Sequence, residues 1–397
     1  MSLSVHSIRL GQFRSYAAGR VETGGASVAL YGPNGAGKTN VLEAVSLLTP
    51  GRGLRRAGGE DLMRRPDRLG WRVRAEVAAP GMAQTGLIEI VTGMEVGAGS
   101  RAVEIDGTAT TQTALGHLAR MVWLTPAMDR LWMEGASERR RFLDRITLGF
   151  RPAHAEASVA YEKAMRERNR LLKEGRFDPA WLRGLEAQMA RQGTRIARGR
   201  AEALSRLQHA AQSPDSGGNS LFPRADLAIL GTMETRFWDV IRSAGPAETD
   251  LDSLMDQTES EEAAGMAEAL AEGRMRDAAA GRTLSGPHRS DLDAVYAAKD
   301  MPARACSTGE QKALLISLIL ANARALSVEG TPPVLLLDEV AAHLDADRRA
   351  ALYAEIDALG CQAWMTGTGP ELFEALPASA LRISVSETAG ASSFGPA

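Results

Sequence analysis

Aromatic residues make up only 5% of this 397-residue chain, and cysteine occurs just twice. The first scarcity argues against a platform on which unpaired bases stack. The two cysteines, Cys306 and Cys361, sit in apolar or glycine-rich surroundings. They argue against a disulfide framework and point to a reducing compartment. Six histidines without a His/Cys cluster leave no transition-metal site to propose. Arg9 interrupts the apolar residues of the N-terminus, so no signal peptide is visible. The longest apolar stretch, Ala313–Ala321, is far too short to span a bilayer. A cytoplasmic protein without a membrane partner is the expectation.

What is present is ordinary in amount and unusual in distribution. The apolar fraction is 44%, the charged fraction 24% and the net charge −3, which excludes a uniformly basic nucleic-acid binder. The charge is segregated, however. Arg52 to Arg74 holds eight arginines against three acids, and Arg130, Arg139, Arg140, Arg141 and Arg145 form a second basic run. Lysines and arginines spread from Lys163 to Arg206, while Ala247–Gly273 has nine acids and no base.

Patterning gives an α/β chain interrupted by helices. Ser2–Leu10, Ser27–Tyr31, Trp71–Ala78, Gly86–Thr92 and Arg101–Asp106 read as strands, with one helix from Lys38 to Thr49. From Ser137 to about Ala211 the periodicity is helical, Gln212–Ser220 reads as a loop, and Ala247–Ala280 reads as surface helix. Strand Ser290–Ala297 is followed by helix Gly309–Leu326, strand Val334–Leu337, helix Ala346–Leu359 and strands Gln362–Met365 and Leu381–Val385. This predicts one α/β domain assembled from both ends, residues 1–150 and 283–397, with a helical lobe inserted at 151–282.

The octet Gly32-Pro33-Asn34-Gly35-Ala36-Gly37-Lys38-Thr39 fits the P-loop pattern throughout and stands between an apolar strand and a helix. Its glycines let backbone N–H groups turn inward around phosphates, and the helix N-terminus adds partial positive charge. Lys38 would reach the β- and γ-phosphates of ATP, and the Thr39 hydroxyl would bind Mg²⁺. The apolar run Val334–Leu337 ends in Asp338 and Glu339. Asp338 suits Mg²⁺ ligation, and Glu339 is then placed to orient or deprotonate an attacking water. The segment Ser307-Thr308-Gly309-Glu310 reads on its own as a capping box opening a helix. Its place one short connection before the Asp-Glu strand matches instead the order of ABC-type ATPases, in which this helix end binds the γ-phosphate held by another subunit.

These segments, taken together, resemble the RecF family of recombination mediators, within the ABC/SMC-like ATPase heads. The resemblance rests on Leu10–Tyr16 (LGQFRSY), the P-loop, Gly51–Arg55 (GRGLR), Leu124–Asp144 (LTPAMDRLWMEGASERRRFLD), Ser285–Leu292 (SGPHRSDL), STGEQK and LLLDEV. They run in order from residue 10 to 368. Thr366-Gly367-Thr368 stands where ABC transporters carry a switch histidine. Thr308 and Glu310 replace a glycine and a glutamine of the transporter signature, so contacts in trans would rest on Ser307 and Gly309. Pro126–Asp129 is looser than the family's Pro-Glu-Asp, and Ser290 stands where the family often has Asp. His288 reads as an interior structural residue.

The resemblance implies an ABC-type head with a short helical insertion in place of a long coiled coil. It implies a weak ATPase that dimerises on ATP, contacts its nucleotide in cis through Arg55, and clamps DNA during repair, replication and the SOS response. Duplex and duplex/single-strand junctions would be its DNA partners, RecR and RecO its protein partners, and RecA loading at gaps its task. Charge places DNA backbone contact on the Lys163–Arg206 spread. Arg139, Arg140 and Arg141 sit on one helix and point to different faces, so internal salt bridges compete with phosphate contact there. The other readings are an ABC transporter subunit, another SMC-like machine, or an ABC-linked nuclease. The missing switch histidine argues against transport, and about thirty residues after Thr368 leave no room for a nuclease domain.

Overall fold

The computed structural model describes residues 3–79, 86–175, 177–212, 221–244, 250–330 and 332–395. The chain opens with β1 (Ser4–Phe13), β2 (Tyr16–Glu22), β3 (Val28–Tyr31) and α1 (Lys38–Ser46). Strands β4 (Trp71–Ala78), β5 (Ile88–Met94), β6 (Ala102–Ile105), β7 (Thr108–Thr110) and β8 (Met121–Leu124) follow. A helical stretch comes next: α2 (Ala136–Phe150), α3 (His154–Lys173) and α4 (Pro179–Gln212). After β9 (Ala225–Leu230) come α5 (Thr232–Ser243), α6 (Leu251–Glu272) and α7 (Arg274–Ala280). The chain closes with β10 (Asp291–Tyr296), β11 (Met301–Pro302), α8 (Thr308–Val328), β12 (Val334–Leu337), α9 (Ala346–Ala358), β13 (Ala363–Gly367), β14 (Leu381–Thr388) and β15 (Ala391–Phe394).

Two compact units result. The first comprises Met1–Asp129, Pro214–Pro223 and Leu315–Ala397, the second Arg130–Ser213 and Arg224–Leu314. The division falls at 129/130 and 314/315, whereas periodicity placed it at 150/151 and 282/283. The reason is that α2 packs on α4 and β10, and so belongs with the helices that follow it. Of the loop read at Gln212–Ser220, residues 213–220 lie outside the described residues.

The first unit holds two six-stranded sheets. One is antiparallel in the order β2-β1-β4-β5-β6-β7. In β4 (WRVRAEVA) the small and apolar side chains of Trp71, Val73, Ala75 and Val77 are buried, while Arg72 and Arg74 are exposed. That alternation is the period of two of a half-buried strand. The other sheet runs β15-β14-β3-β13-β12-β8, parallel except at β14–β15. Its inner strands are apolar because both faces are covered: all of β12 is buried. Each buried Leu or Val of such a strand contributes about 1.5–3 kcal/mol. Helix α8 is long and apolar enough by length and composition to cross a membrane, but 72% of that window is buried, as befits a core helix. Strands β2 and β8 escape the patterning because YAAGRVE is poor in β-branched residues and MVWL is only four residues long.

In the second unit, α3, α4 and α6 pack around Tyr161, Met189, Ala197, Phe237 and Leu270. A three-stranded sheet, β11-β10-β9, completes it. Arg168 is wholly buried and is held by Glu186, Asp277, Thr283 and the Leu270 carbonyl.

Candidate functional site

Three neighbouring parallel strands bring their C-terminal ends to one edge of the mixed sheet. Strand β3 leads into the P-loop, β12 into Asp338 and Glu339, and β13 ends at Thr366 and Gly367. The register sets Tyr31 beside Gly367 and Leu337 beside Met365. Ligand clefts in open α/β sheets form at such strand ends.

Here the two halves of the predicted site meet. The Thr39 hydroxyl donates to Asp338 Oδ1 at 2.7 Å, across 299 positions of sequence. Thr366 Oγ1 donates to the same oxygen at 2.8 Å and accepts the Glu339 N–H at 2.9 Å. The Gly32 N–H donates to the Gly367 carbonyl at 3.3 Å, fixing the start of the P-loop to β13. Lys38 folds back on its own loop, donating to the carbonyls of Gly32 and Pro33 at 2.8 Å each. Burial lowers the Lys38 ammonium below its ordinary value, and the charges of Glu339 and Asp338 push it back up. Helix α1 has no side-chain cap; its N-cap is Gly37 in the left-handed region at φ 103°. Its first N–H groups are therefore available to an anion.

A second layer of contacts holds α1. Glu43, fully buried, receives Arg14 through two hydrogen bonds of 2.8 Å and has Arg55 at 3.6 Å. Arg55 also donates to Asn40 Oδ1 at 2.8 Å, and Asn40 donates to Ser15 Oγ at 2.7 Å. Beside them lies an open cavity of about 620 Å³ lined by Arg14, Ser15, Asn40, Asp61, Met63 and Arg65. The resemblance implied Arg55 but not Arg14, Ser15, Asn40 or Thr366 as site residues. Arg14 and Ser15 stand in the LGQFRSY segment, Thr366 in TGT and Asn40 directly after the P-loop, none of which carries chemistry until the fold sets them beside one another. Arg101 was likewise unmarked: it donates to the carbonyls of Leu47, Thr49 and Gly51 at 2.5, 2.8 and 3.0 Å, at the C-terminal end of α1. Burial brings its guanidinium down to about 10.

Ser307 and Gly309 belong to the second unit. Ser307 and Glu310 form the reciprocal capping box: Glu310 Oε2 accepts both the N–H and the hydroxyl of Ser307 at 2.8 Å. Lys299 pairs with the same carboxylate. That pairing and the two Ser307 bonds hold Glu310 down at about 2.

The second and third basic runs are partly engaged by acids and carbonyls of their own unit, whereas all of the first run but Arg64 is exposed. Arg139 makes two hydrogen bonds to Asp291, Arg140 donates to the Ser290 carbonyl at 2.6 Å, and Arg141 pairs with Glu138. Of the Lys163–Arg206 spread, Arg168 and Arg200 are buried in ion pairs. Arg198 faces Glu202, Asp252, Asp256 and Glu259, and Arg195 faces Glu259. Part of the spread is thus matched by acids of the same lobe, while Lys163, Lys173, Arg183 and Arg191 are exposed. Burial pushes the Asp144 carboxyl up, but Arg200 and His154 outweigh it and hold it well below the carboxylate range. His288 is structural: Tyr161 O–H and the Thr283 carbonyl hold its two ring nitrogens at 2.7 and 3.0 Å. Among the described residues both cysteines are free and buried, and no cluster of three His, Cys, Asp or Glu occurs.

The RecF/RecN/SMC N-terminal domain family matches residues 4–389. A protein of Mesorhizobium japonicum described as DNA replication and repair protein RecF is 47% identical over 378 residues, covering 94% of this chain and 93% of that one. The chain belongs to the RecF family of DNA replication and repair proteins. A RecF of Brucella suis agrees at 46% over 386 residues, covering 97% and 95%. Among solved structures, the recombination mediator protein RecF with ATPrS superposes at a TM-score of 0.76 with 22% identity, over 100% of this chain and 99% of the other. An Smc head bound to the C-winged helix domain of ScpA gives 0.51 at 15% identity, over 99% and 97%. These likenesses establish the ABC/SMC head fold expected of a RecF-family chain.

Proposed function

We propose that this RecF-family protein is a slow ATPase whose nucleotide site closes between two copies of the chain and so controls its hold on DNA. The observation that carries the proposal is the Thr39–Asp338 hydrogen bond of 2.7 Å, which joins the P-loop to the acidic strand end. One hydroxyl and one carboxylate at that distance suit Mg²⁺, which takes few protein ligands and completes its shell with phosphate oxygens and water. Thr39 and Asp338 would hold it, and it would supply positive charge that offsets the charge of the phosphates.

The rest falls to residues of this chain. Gly32, Pro33, Asn34, Gly35, Ala36 and Gly37 present the loop backbone, and Lys38 exchanges its two carbonyl partners for phosphate oxygens. Arg14 and Asn40 line the cavity beside α1, where the rest of the nucleotide fits, and Arg55, which donates to Asn40, contacts it in cis. Glu339 holds the attacking water and accepts its proton. Ser307 and Gly309 of a second copy complete the site, so hydrolysis requires a dimer and is slow. The helical lobe and the two head segments act together as this clamp. A solved RecF is described as a recombination mediator of the RecFOR pathway. By that kinship RecO and RecR are the partners, gapped or junction DNA the substrate, RecA loading the outcome and the cytoplasm the location.

The test compares oligomeric state and DNA binding with and without ATP for wild type, Lys38→Ala and Glu339→Gln. Glu339→Gln should accumulate an ATP-bound dimer that retains DNA, with hydrolysis reduced at least about a hundredfold, ~3 kcal/mol in the barrier. Lys38→Ala should stay monomeric at all ATP concentrations. A Glu339→Gln protein that remains monomeric with ATP would sink the clamp.

A further inference from the structure

Thr366 is 1% exposed, lies at the end of β13, and has both sides of its hydroxyl engaged. The single hydroxyl proton goes to Asp338 Oδ1 at 2.8 Å, and a lone pair accepts the Glu339 N–H at 2.9 Å. A hydroxyl that donates and accepts at once cannot rotate without breaking a buried bond. We infer that Thr366 is the positioning residue of the hydrolytic site, one buried side chain that sets both the Asp338 carboxylate and the Glu339 backbone. The inference rests on the roles given above to Asp338 and Glu339.

Two features of the geometry carry it beyond a satisfied core threonine. First, two hydroxyls, Thr39 and Thr366, converge on the same oxygen of Asp338. That fixes the plane of the carboxylate, and among the described residues Oδ2 receives no protein donor. Thr39 alone could not do this, because its oxygen also has to serve the cation. Second, Glu339 stands in the left-handed region at φ 54°, a conformation that disfavours a residue with a side chain. Its N–H is the group that Thr366 holds. The strained backbone that aims Glu339 out of β12 is thus tied to the neighbouring strand by the same hydroxyl. Gly367, the next residue, holds Gly32 through its carbonyl, so the end of β13 orders the P-loop as well. Outer contacts that orient a ligating carboxylate ordinarily matter about 10–100-fold in metal affinity.

The experiment uses the full chain with Thr366→Val, which keeps the shape and removes the hydroxyl, and Thr366→Ser, which keeps the hydroxyl. Three quantities are read: ATP affinity without Mg²⁺, the Mg²⁺ concentration for half-maximal hydrolysis, and the single-turnover rate at saturating ATP and Mg²⁺. For Thr366→Val the Mg²⁺ requirement should rise about tenfold and the rate fall at least about tenfold, with Mg²⁺-free ATP affinity within about twofold. Thr366→Ser should keep all three within about threefold of wild type. Equal losses in the two variants, or a wild-type Mg²⁺ requirement in Thr366→Val, would overturn the inference. Should Thr366→Val not fold, Thr366→Cys keeps the volume with a weaker donor and should fall between Ser and wild type on one side and loss on the other. Failure of the base assignment is separable. Glu339→Gln hydrolysing at the wild-type rate would remove Glu339's role, while the Mg²⁺ requirement, which reads Asp338, would still decide Thr366.

Discussion

Gly37 meets two demands that no other residue satisfies together. Its φ of 103° lies outside the range of residues with side chains, and an added Cβ would come within 2.3 Å of Ser392 Oγ and 2.9 Å of Ser15 Oγ. Gly35 meets only the first demand: φ is 85°, and nothing lies within 4 Å of an added Cβ. The two positions therefore separate backbone strain from crowding. Gly35→Ala should weaken ATP binding by about 1–2 kcal/mol, the ordinary penalty of the left-handed region. Gly37→Ala should cost at least about 1 kcal/mol more, because two hydroxyls must move, that of Ser15, which holds Asn40, and that of Ser392, which donates to Ser15. Calorimetric titration of the two variants with ATP reads the difference, and equal losses would show that crowding plays no part.

Helix α1 is the element on which the site turns, and it is held at three levels. Its N-terminus is left open to phosphate, its buried Glu43 is pinned by Arg14 and Arg55, and the carbonyls of Leu47 and Thr49 just past its C-terminal end are gathered by Arg101. A cation at a helix C-terminus also opposes the charge of the helix dipole. Arg101→Met keeps much of the side-chain bulk and leaves three carbonyls without their donor. It should cost about 2–4 kcal/mol of stability by urea denaturation, the range for unmaking three hydrogen bonds at once, two of them half-buried. ATP affinity should fall as well, because the Gly51 carbonyl that Arg101 holds opens the segment carrying Arg55. Stability within about 0.5 kcal/mol of wild type would mean that water replaces Arg101 at the helix end.

For the whole molecule, the near-neutral total conceals charge that is matched at short range. The acids of α6 answer the arginines of α4: Asp252, Asp256 and Glu259 surround Arg198. Arg198 is buried while Asp252 and Asp256 are exposed, so these pairs cancel part of the lobe's field at its surface. A face neutralised in this way releases few counterions on meeting DNA. Reversing the exposed Lys163 and Arg166 to Glu should therefore leave ATP-dependent DNA binding within about threefold, with an unchanged slope against salt. A slope flattened by about two charges would return the DNA face to the lobe.

How far the sequence reaches depends on whether a contact is local. The strand VLLLDE, the P-loop and strand β4 are readable because a run or an alternation of side chains dictates them, whatever the rest of the chain does. The same holds for Ser307–Glu310, a capping box closed within four residues. Arg14, Asn40, Thr366 and Arg101 are not readable in this way, since each acts through a partner far along the chain or through a carbonyl that any residue could supply. The arginine runs show the opposite failure. Composition counted their charge, but only packing decides which acid stands opposite. The sequence by itself therefore determined a phosphate-binding loop, an acidic strand end and, with its relatives, the RecF family. Tertiary structure alone decided that Thr39 and Thr366 share one oxygen of Asp338, that Arg101 closes α1, and that Arg168, Arg198 and Arg200 of the lobe are buried against acids. Hydrogen bonds and ion pairs act over about 3 Å in space, and the order of residues along a chain does not specify that distance.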